Sequence, residues 1–482
     1  MAFRDLREYM AFLEKRGELR RIRAEVSREL EITEIADRVV KRGGPALLFE
    51  NVRGSAMPVL INMFGTEART AAALGVERLD DLGERLEKYL GLAQGPLPSS
   101  MVDKLKILGQ LAEFASYAPK TIDSPPCQEV VLDPPTLAPL PVLKCWPRDG
   151  GPFVTLPLVV TRDPATGQRN VGMYRLQVYD ERTTGMHWHL HKGGAQHYRD
   201  SEEKERRLEV AVALGPDPAT IYAGTAPLPP GLDEFFFAGF LRREKVELAR
   251  CRTVNLEVPA HSEIVIEGYV DPQERRREGP FGDHTGFYSL ADDYPVFHVT
   301  CVSHRRDPIY PATVVGRPVM EDYYLGKATE RLFLPLIKLT LPEVVDLAMP
   351  AAGVFHNLAI VSIRKQYPGQ ARKVIYGLWG LMLMSLTKNI VVVDEDANVQ
   401  DVAEIAWRVL NNVEPKRDLV LAEGPLDALD HAAALPHFGG KLGIDATRKG
   451  PSEGHNREWP ADVVMDPAVV KRVDAMWREL GL

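Results

Sequence analysis

Two carboxylates lie five positions apart in the segment REGPFGDHTGFY, which covers residues 277–288. Glu278 and Asp283 are separated by the sequence GPFG, in which proline fixes one φ angle and the glycines permit unusual ones. Such a spacer can reverse the chain and aim both acids at one point. Two carboxyl groups in one pocket cannot both ionise at low cost, so one is driven to hold a proton near neutral pH. The motif therefore predicts a general acid, and a surface turn with solvated acids is the alternative.

An arginine beside these acids would keep one of them ionised. Arg175, in the segment MYRLQVY, is the candidate for this position.

The segment HWHLH places His187, His189 and His191 at alternate positions. On a strand all three would project from one face, which could form a metal site, whereas the alternative is a polar strand face. A hard ion would also need oxygen ligands. Asn170, on the preceding predicted strand, and Glu234 are available, but spacing alone does not select them.

The usual phosphate-binding signatures are absent from the sequence. We find neither GxGxxG after a predicted strand nor GxxxxGK[ST]. Glycine pairs lie beside a lysine in HKGGAQ (191–196) and FGGKLG (438–443). Either pair could let backbone amides and a lysine approach a phosphate, or could form a plain turn.

The bulk composition indicates a globular protein of several domains. A chain of 482 residues is too long for one hydrophobic core, and 45% of it is apolar. Its net charge of −8 is spread along the chain, which argues against nucleic acid or an anionic membrane as the main partner. No CxxC pair occurs, which is typical of a protein in a reducing cytosol. The cysteines are Cys127, Cys145, Cys251 and Cys301.

No segment has the pattern of a signal peptide or a membrane span. The first 21 residues carry charges throughout, and their apolar residues follow the spacing of an amphipathic helix. The most apolar segment, residues 375–386, is shorter than the roughly 20 residues that a span requires, so we predict a buried helix there. The protein is expected to be soluble and cytoplasmic.

The pattern of helices and strands changes along the chain, which predicts an α/β multidomain protein. Residues 388–398 have the pattern of a buried parallel strand, and Asp466 and Pro467 begin a capped terminal helix. The predicted parts are an N-terminal α/β domain (1–120), a central β domain (121–315), a linker helix that contains Pro335 (316–345), a C-terminal α/β domain (346–460) and a C-terminal helix (461–482).

Four motifs, in this order and at these separations, resemble the UbiD family of prenylated-FMN-dependent decarboxylases. They are NVGMYR, HWHLHKGG, DEFFFAG and EGPFGDHTGFY. Segments such as GELRRI, GGPALLFENV, LEVPAHSEIVIEGY and KLGIDAT extend the resemblance nearly end to end, towards the bacterial 4-hydroxy-3-polyprenylbenzoate decarboxylases. The resemblance implies that the central domain is a split β-barrel of the flavin-reductase type that binds prenylated FMN, and that a long helix joins it to the C-terminal domain.

The resemblance also implies which residues hold the cofactor. Asn170, His191 and Glu234 would bind a divalent ion, usually Mn²⁺, that bridges the protein to the cofactor phosphate, with K⁺ as a further expected ion. Lys441 matches a family lysine that reaches the phosphate from the third domain. The implied cofactor contacts are Asn170, Met173, Tyr174, Arg175, His187, Trp188, His189, His191, Lys192, Gly193, Glu234 and Lys441.

At the reacting centre the resemblance implies a network of Arg175, Glu278 and Asp283, with Asp283 as the proton donor. The implied reaction is the non-oxidative decarboxylation of an aromatic acid through a covalent substrate–cofactor adduct. The first candidate is the conversion of 4-hydroxy-3-polyprenylbenzoate to 2-polyprenylphenol in ubiquinone biosynthesis. A menaquinone precursor or a small phenolic or heteroaromatic acid is the alternative substrate. A metal-dependent hydrolase that uses the histidines and acids is an alternative from another class.

Further expectations concern partners. The resemblance implies a flavin prenyltransferase as cofactor supplier, and a homo-oligomer (a dimer at least, with a hexamer as the larger form) in which the C-terminal helix contacts another copy. A lipophilic substrate would allow peripheral association with the inner membrane. The chain has His-Trp-His-Leu-His where the quinone branch has Arg-Trp-Leu-Ser-His, so His187 and His189 distinguish it beside the cofactor.

Overall fold

A computed structural model describes residues 2–94, 109–110, 112–188, 193–203, 206–229 and 231–481. The described helices with defined ends are α1 (Leu6–Lys15), α2 (Glu31–Val40), α3 (Glu67–Ala73), α4 (Asp80–Gln94), α5 (Gly193–Glu203), α6 (Pro218–Ala223), α7 (Glu234–Arg242), α8 (Glu321–Thr340), α9 (Gln370–Trp379), α10 (Val402–Asn412), α11 (Pro415–Asp418) and α12 (Pro467–Met476). Short 3₁₀ helices occur at Pro126–Gln128, Ala351–Gly353, Met382–Leu386 and Pro451–Glu453.

The strands form a small N-terminal sheet, a large central sheet, a C-terminal sheet and several short ribbons. They are β1 (Leu19–Ile22), β2 (Ala46–Phe49), β3 (Val59–Ile61), β4 (Lys120–Thr121), β5 (Val130–Val131), β6 (Phe153–Val154), β7 (Leu158–Arg162), β8 (Arg169–Met173), β9 (Leu176–Gln177), β10 (Thr183–Gly185), β11 (Leu208–Leu214), β12 (Glu247–Arg250), β13 (Glu257–Pro259), β14 (Ile264–Glu278), β15 (Phe281–Gly282), β16 (Tyr288–Ser289), β17 (Asp292–His304), β18 (Tyr310–Pro311), β19 (Val344–Ala348), β20 (Leu358–Ile363), β21 (Asn389–Asp394), β22 (Leu419–Pro425) and β23 (Phe438–Asp445).

The N-terminal part contains the predicted amphipathic helix, α1. The Asp5 side chain accepts a hydrogen bond from the backbone N–H of Glu8 and so caps the helix, and Leu6, Tyr9 and Leu13 are buried on its inner face. The neighbouring sheet has the strand order β1-β2-β3-β18. Because β18 follows the central strands in the chain, this sheet ties the N-terminal part to the central part.

The central part is an antiparallel sheet with the strand order β10-β17-β14-β11-β7-β8, and β5 pairs with β17. The chain leaves this sheet after β8, and β9 then pairs with β6 in a separate ribbon. In the described part of the chain no pairing joins β10 to β8. A central β domain is therefore present as predicted, but its description as a split barrel is not confirmed.

The predicted linker helix is α8, and it continues through Pro335. Proline cannot donate to the carbonyl of Arg331 one turn earlier. Helix α4 packs at this point through Gly83, where an added Cβ would lie 2.8 Å from the Arg331 oxygen. Arg331 then pairs with Glu330 at 2.8 Å and with Asp346 at 2.7 Å, which fixes α8 to the C-terminal sheet.

The C-terminal sheet has the strand order β19-β20-β21-β23-β22, and β21 is parallel to both neighbours, as predicted for residues 388–398. The prediction of one buried helix over residues 375–386 is wrong beyond Trp379. Gly380 ends α9, and a separate 3₁₀ turn follows. Asp466 caps α12 as predicted. None of the helices in the described ranges is long and apolar enough to span a membrane.

Candidate active site

Two distant segments meet at Arg175, which lies where the chain passes from the central sheet to the β6–β9 ribbon. Glu278 ends β14, and Asp283 directly follows β15. Nη1 of Arg175 donates to Oδ2 of Asp283 at 2.6 Å, and its Nε donates to Oε1 of Glu278 at 3.3 Å. Glu278 and Asp283 are only 1% and 5% exposed. The structure thus brings together the three residues that the sequence singled out at the reacting centre.

The GPFG spacer aims the two acids because side chains from other segments hold its backbone by hydrogen bonds. Gly279 has φ +87°, and its N–H donates to Oε1 of Gln177 at 2.7 Å. The N–H of Gly282 donates to Oδ1 of Asp149 at 2.8 Å. An added Cβ on Gly282 would lie 2.2 Å from the Trp146 ring, so only glycine fits this contact.

Aromatic rings and a histidine surround the ionic network. The Arg175 guanidinium lies 4.5 Å from the centre of the Phe281 ring. Nδ1 of His187 lies 2.7 Å from Oε1 of Glu278, and its ring packs 4.2 Å from that of Tyr294. Burial, with the charge of Arg175, holds the pKa of His187 well below its ordinary value. His187 is therefore neutral, and its Nδ1–H donates to Glu278.

The charge of Asp283 is set by its neighbours. Burial raises the pKa of this carboxyl, but the charge of Arg175 and hydrogen bonds from His284 outweigh burial and hold the pKa below its ordinary value. Those bonds come from Nδ1 of His284 at 2.9 Å and from its backbone N–H at 2.8 Å. Burial lowers the pKa of His284, and its contact with Asp283 more than reverses this effect. In this arrangement Asp283 is ionised, so it must regain a proton before it can act as a donor.

Two of the three predicted metal ligands are neighbours. Asn170 lies on β8, and Oε2 of Glu234, at the start of α7, accepts a hydrogen bond from the N–H of Val171 at 3.1 Å. Burial raises the pKa of Glu234 to about 7. A divalent cation would favour the ionised form, and an amide with a carboxylate suits a hard ion. His191 lies outside the described residues.

Within the described ranges no three His, Cys, Asp or Glu side chains form a metal-binding group. The predicted ligand set contains only Glu234 of these types among the described residues, because Asn170 contributes an amide. The metal site therefore stays a prediction.

The predicted cofactor contacts are only partly described. Met173 ends β8, Tyr174 and Trp188 are buried, and Nε1 of Trp188 has no hydrogen-bond partner in the described part of the chain. A buried N–H without an acceptor fits a bound polar group there. Gly193 begins α5, and residues 186–188 are not a strand. Because the rest of HWHLH lies outside the described residues, its alternating face stays a prediction. His189 and Lys192, like His191, lie outside the described residues.

Lys441 lies on β23 and turns towards its own domain. Its Nζ donates to the carbonyl oxygens of Ser385 at 2.6 Å and Thr387 at 2.9 Å, and burial lowers its pKa to about 8. It also lines a groove of about 490 Å³ whose described lining residues all belong to the C-terminal part. To contact a phosphate, Lys441 would have to exchange these carbonyls for it.

Sequence reasoning missed two histidines that extend the network. Nε2 of His284 lies 2.8 Å from Nε2 of His356, which precedes β20 in the C-terminal part. The Phe287 ring lies 4.3 Å from that of His431, a second contact between the same parts. The position of His284 next to Asp283 was a usable signal. His356 carried none, because 72 positions separate it from His284.

Comparisons with known proteins agree with the geometry. Three domain families of 3-octaprenyl-4-hydroxybenzoate carboxy-lyase match the chain: the UbiD N-terminal domain over residues 10–86, the UbiD Rift-related domain over 120–318 and the UbiD C-terminal domain over 323–446. A protein of Archaeoglobus fulgidus is 55% identical over 100% of this chain and 99% of its own length. A protein of Aquifex aeolicus is 51% identical with the same coverage.

Among solved structures, the UbiD-class enzyme HmfF from Pelotomaculum thermopropionicum in complex with FMN is 31% identical, with a TM-score of 0.80 over 97% of this chain and 98% of that one. Vanillic acid decarboxylase of Sedimentibacter hydroxybenzoicus in its closed form is 27% identical, with a TM-score of 0.85 over 100% and 99%. Its open form, at the same identity and coverage, has a TM-score of 0.81. By this measure the chain resembles the closed form more than the open one.

Proposed function

The chain belongs to the UbiD family, and from this premise we propose that it is a carboxy-lyase that uses prenylated FMN to remove CO2 from an aromatic acid. The observation that supports this most strongly is the buried contact of Arg175 with both Glu278 and Asp283. This arrangement places a carboxylate-binding cation and a proton-carrying side chain at one point.

The proposed cofactor site uses residues of β8, of α7 and of the segment that follows β10. Asn170, Glu234 and His191 would hold a divalent ion, with Mn²⁺ as the first candidate, next to the cofactor phosphate. The N–H of Trp188, which has no acceptor among the described residues, would donate to the bound group. Prenylated FMN, when bound, supplies the electron sink that no side chain offers for the electron pair left as CO2 departs.

The side chains then bind, orient and protonate. Arg175 would bind the substrate carboxylate and hold the substrate in a reactive orientation. Asp283 would donate a proton from its carboxyl oxygen to the carbon that lost CO2. Glu278, fixed by Arg175 and His187, would keep the guanidinium in position for this step.

The first candidate substrate is 4-hydroxy-3-polyprenylbenzoate, which would give 2-polyprenylphenol. Its support is that all three matching domain families carry the description of the octaprenyl enzyme. The second candidate is a small phenolic acid. The similarity of the whole chain to vanillic acid decarboxylase favours this alternative.

The C-terminal tail supports an oligomer. Large apolar side chains are exposed before, on and after α12, and we propose that a second copy covers them. These side chains are Val463, Val464, Met465, Val470, Met476, Trp477 and Leu480. Molar mass by light scattering tests this, and a monomer at micromolar concentration would contradict it.

The decisive experiment is co-expression with a flavin prenyltransferase, followed by an acid panel. The panel contains a short-chain 4-hydroxy-3-prenylbenzoate, vanillate and a heteroaromatic acid, and CO2 release is measured. We expect a protein with flavin-like absorption that decarboxylates the prenylated acid fastest. Faster turnover of vanillate would select the second candidate. A cofactor-loaded protein that releases CO2 from no aromatic acid would contradict the proposal.

A further inference from the structure

A chain of three side chains runs from the reacting centre into the C-terminal part. Oδ1 of Asp283 contacts Nδ1 of His284 at 2.9 Å, and Nε2 of His284 contacts Nε2 of His356 at 2.8 Å. We call this chain the histidine bridge. His356 follows the 3₁₀ turn Ala351–Gly353, and its backbone N–H donates to the Gly353 carbonyl. The bridge is therefore anchored by backbone structure at both ends.

The contact between the two imidazoles admits one hydrogen. At 2.8 Å, one Nε2 donates and the other accepts. Burial and the positive charge of His284 lower the pKa of His356 to about 4, so His356 is neutral and accepts. The other titratable groups that face the bridge are Asp322 and Asp427, whose carboxylate forms favour the cation on His284, and burial raises the pKa of Asp322 to about 7. His284 therefore donates from both of its nitrogens.

We propose that His356 is a positioning residue that keeps the Nε2 proton on His284, so that the Nδ1 proton of His284 is the one delivered to Asp283. This inference rests on the proposed function, because it gives Asp283 the proton that a decarboxylase must place on carbon. Neither histidine touches the substrate carbon in this scheme.

The delivery step moves one proton from His284 to Asp283 and leaves the net charge of the pair unchanged. Before it, Asp283 is a carboxylate and His284 an imidazolium. The proton leaves Nδ1 and binds Oδ1, which leaves a neutral His284 that still donates from Nε2 to His356. A substrate carboxylate on Arg175 would compensate the charge that keeps Asp283 ionised, and burial then favours the neutral pair. After Asp283 protonates the substrate, a solvent proton restores the imidazolium.

The position of His356 links this step to the arrangement of the domains. His284 belongs to the β15–β16 turn of the central part, whereas His356 comes from the C-terminal part. The Phe287–His431 contact joins the same two parts. The acceptor for Nε2 is therefore present only while the C-terminal part lies against this turn, so that Asp283 receives its proton in the closed arrangement.

The test compares His356→Gln with His356→Phe. The glutamine amide oxygen can accept from Nε2 of His284, whereas phenylalanine fills the space without an acceptor. In the cofactor-free chain, ¹⁵N-histidine NMR, with the signal of His284 assigned by its loss in His284→Gln, reports the tautomer and the pKa. We expect the neutral His284 that forms above its pKa to carry its proton on Nε2 in wild type and in His356→Gln. We expect His356→Phe to lower the His284 pKa and to populate the Nδ1–H tautomer of the neutral ring.

The loaded enzyme gives a second readout. The Asp283–His284 pair must hold a proton, so the rate falls as pH rises past the pKa of His284. We expect His356→Phe to lower kcat on the order of 10-fold, part of the ~10²–10⁴-fold that general acid catalysis contributes, and to move the alkaline limb to lower pH. His356→Gln should restore both to within about 2-fold.

Unchanged His284 titration and an unmoved alkaline limb in His356→Phe would overturn the inference, even if kcat fell through lost stability. The outcomes for the two proposals are separable. If the loaded wild type released CO2 from no acid, the proposed function would fail, while the NMR comparison would still decide whether His356 sets the tautomer of His284.

Discussion

Two buried groups of charges in this molecule are built in different ways. In the C-terminal part, Nζ of Lys449 donates to Oδ1 of Asp445 at 2.9 Å and to the carbonyl oxygens of Asp445 and Thr447 at 3.0 and 2.6 Å. These partners lie within four positions of the lysine. Around Arg175 the contacts to Glu278 and Asp283 instead cross 103 and 108 positions. The first group completes a local turn, and the second exists only where distant segments converge.

The difference teaches how a buried charge can serve stability or chemistry. The partners of Lys449 are part of the fold and cannot be exchanged without unfolding the turn. Arg175 is also paired, but a substrate carboxylate offers it an equivalent partner, and Asp283 can then change its protonation state. A buried cation whose hydrogen bonds are all taken by groups nearby in the chain, such as Lys449, has a structural role. A buried cation that can exchange its partner for an incoming anion, such as Arg175, can have a catalytic role.

The largest expected effect is on the catalytic side. Asp283→Asn removes the proton donor and should lower kcat by roughly 10²–10⁴-fold, while the absorbance of bound cofactor stays unchanged. Asp293→Asn, an exposed change near the same hairpin, is the control and should leave kcat unaltered. An Asp283→Asn enzyme that turns over at the wild-type rate would refute the role.

In the Lys449 group of the C-terminal part, a substitution should lower the free energy of unfolding and leave the catalytic rate unchanged. Lys449→Met leaves the carboxylate of Asp445 buried without its cation, whereas Asp418 keeps Arg417, and such a loss typically costs about 3–5 kcal/mol. Denaturant unfolding measures this, with the exposed Lys245→Met as control. We expect kcat per bound cofactor to be unchanged at low temperature. A large fall in kcat without a loss of stability would break the comparison.

Glu234 in the central part and Asp418 in the C-terminal part are buried acids whose pKa values shift in opposite directions, so they should change the stability with pH in opposite senses. Burial raises the pKa of Glu234 from 4.5 to about 7. Burial also acts on Asp418, but the partners of Asp418, chiefly Arg417, outweigh it and lower the pKa of that carboxyl. Between about pH 4.5 and 7 the unfolded chain ionises Glu234 and the folded chain does not, so stability falls as pH rises. The expected loss from Glu234 is on the order of 3 kcal/mol.

The measurement is the unfolding free energy of the metal-free protein across this pH range. Glu234→Gln should flatten the dependence, whereas the exposed Glu244→Gln should not. Added Mn²⁺ should raise the melting temperature of the wild type at pH 7.5 by favouring the ionised carboxylate. If the stability changed neither with pH, nor with added Mn²⁺, nor on Glu234→Gln substitution, Glu234 would not belong to the proposed metal site.

The smallest of these effects comes from exchanging the cation. Arg175→Lys keeps the charge but loses the planar fork that spans both carboxylates, so kcat/KM should fall roughly 10²-fold, about 2.7 kcal/mol. Arg207→Lys is a matched control, because Arg207 also lies over an aromatic ring and beside an acid but is exposed. A wild-type kcat/KM in Arg175→Lys would show that the positive charge at this position is enough for catalysis and that the planar guanidinium is not needed.

Much of the fold was predictable because it depends on local pattern. The periodicity of α1, the apolar run of β21 and the cap of α12 were each sufficient to predict the element. The apolar run at residues 375–386 failed because Gly380 ends α9, which hydrophobicity alone does not reveal. Residues 186–188 follow β10 outside any strand, and the alternation of the three histidines stays a prediction because His189 and His191 lie outside the described residues.

The sequence by itself determined the residue types of the site, their order and the family that carries them, because motif spacing is a property of the chain. Only the tertiary structure decided the charges. Whether Asp283 is an acid or a carboxylate depends on Arg175 and His284, and His284 in turn contacts His356 of another domain. A pKa reflects the groups that surround a side chain in space, and residues 72 to 108 positions apart become neighbours only on folding.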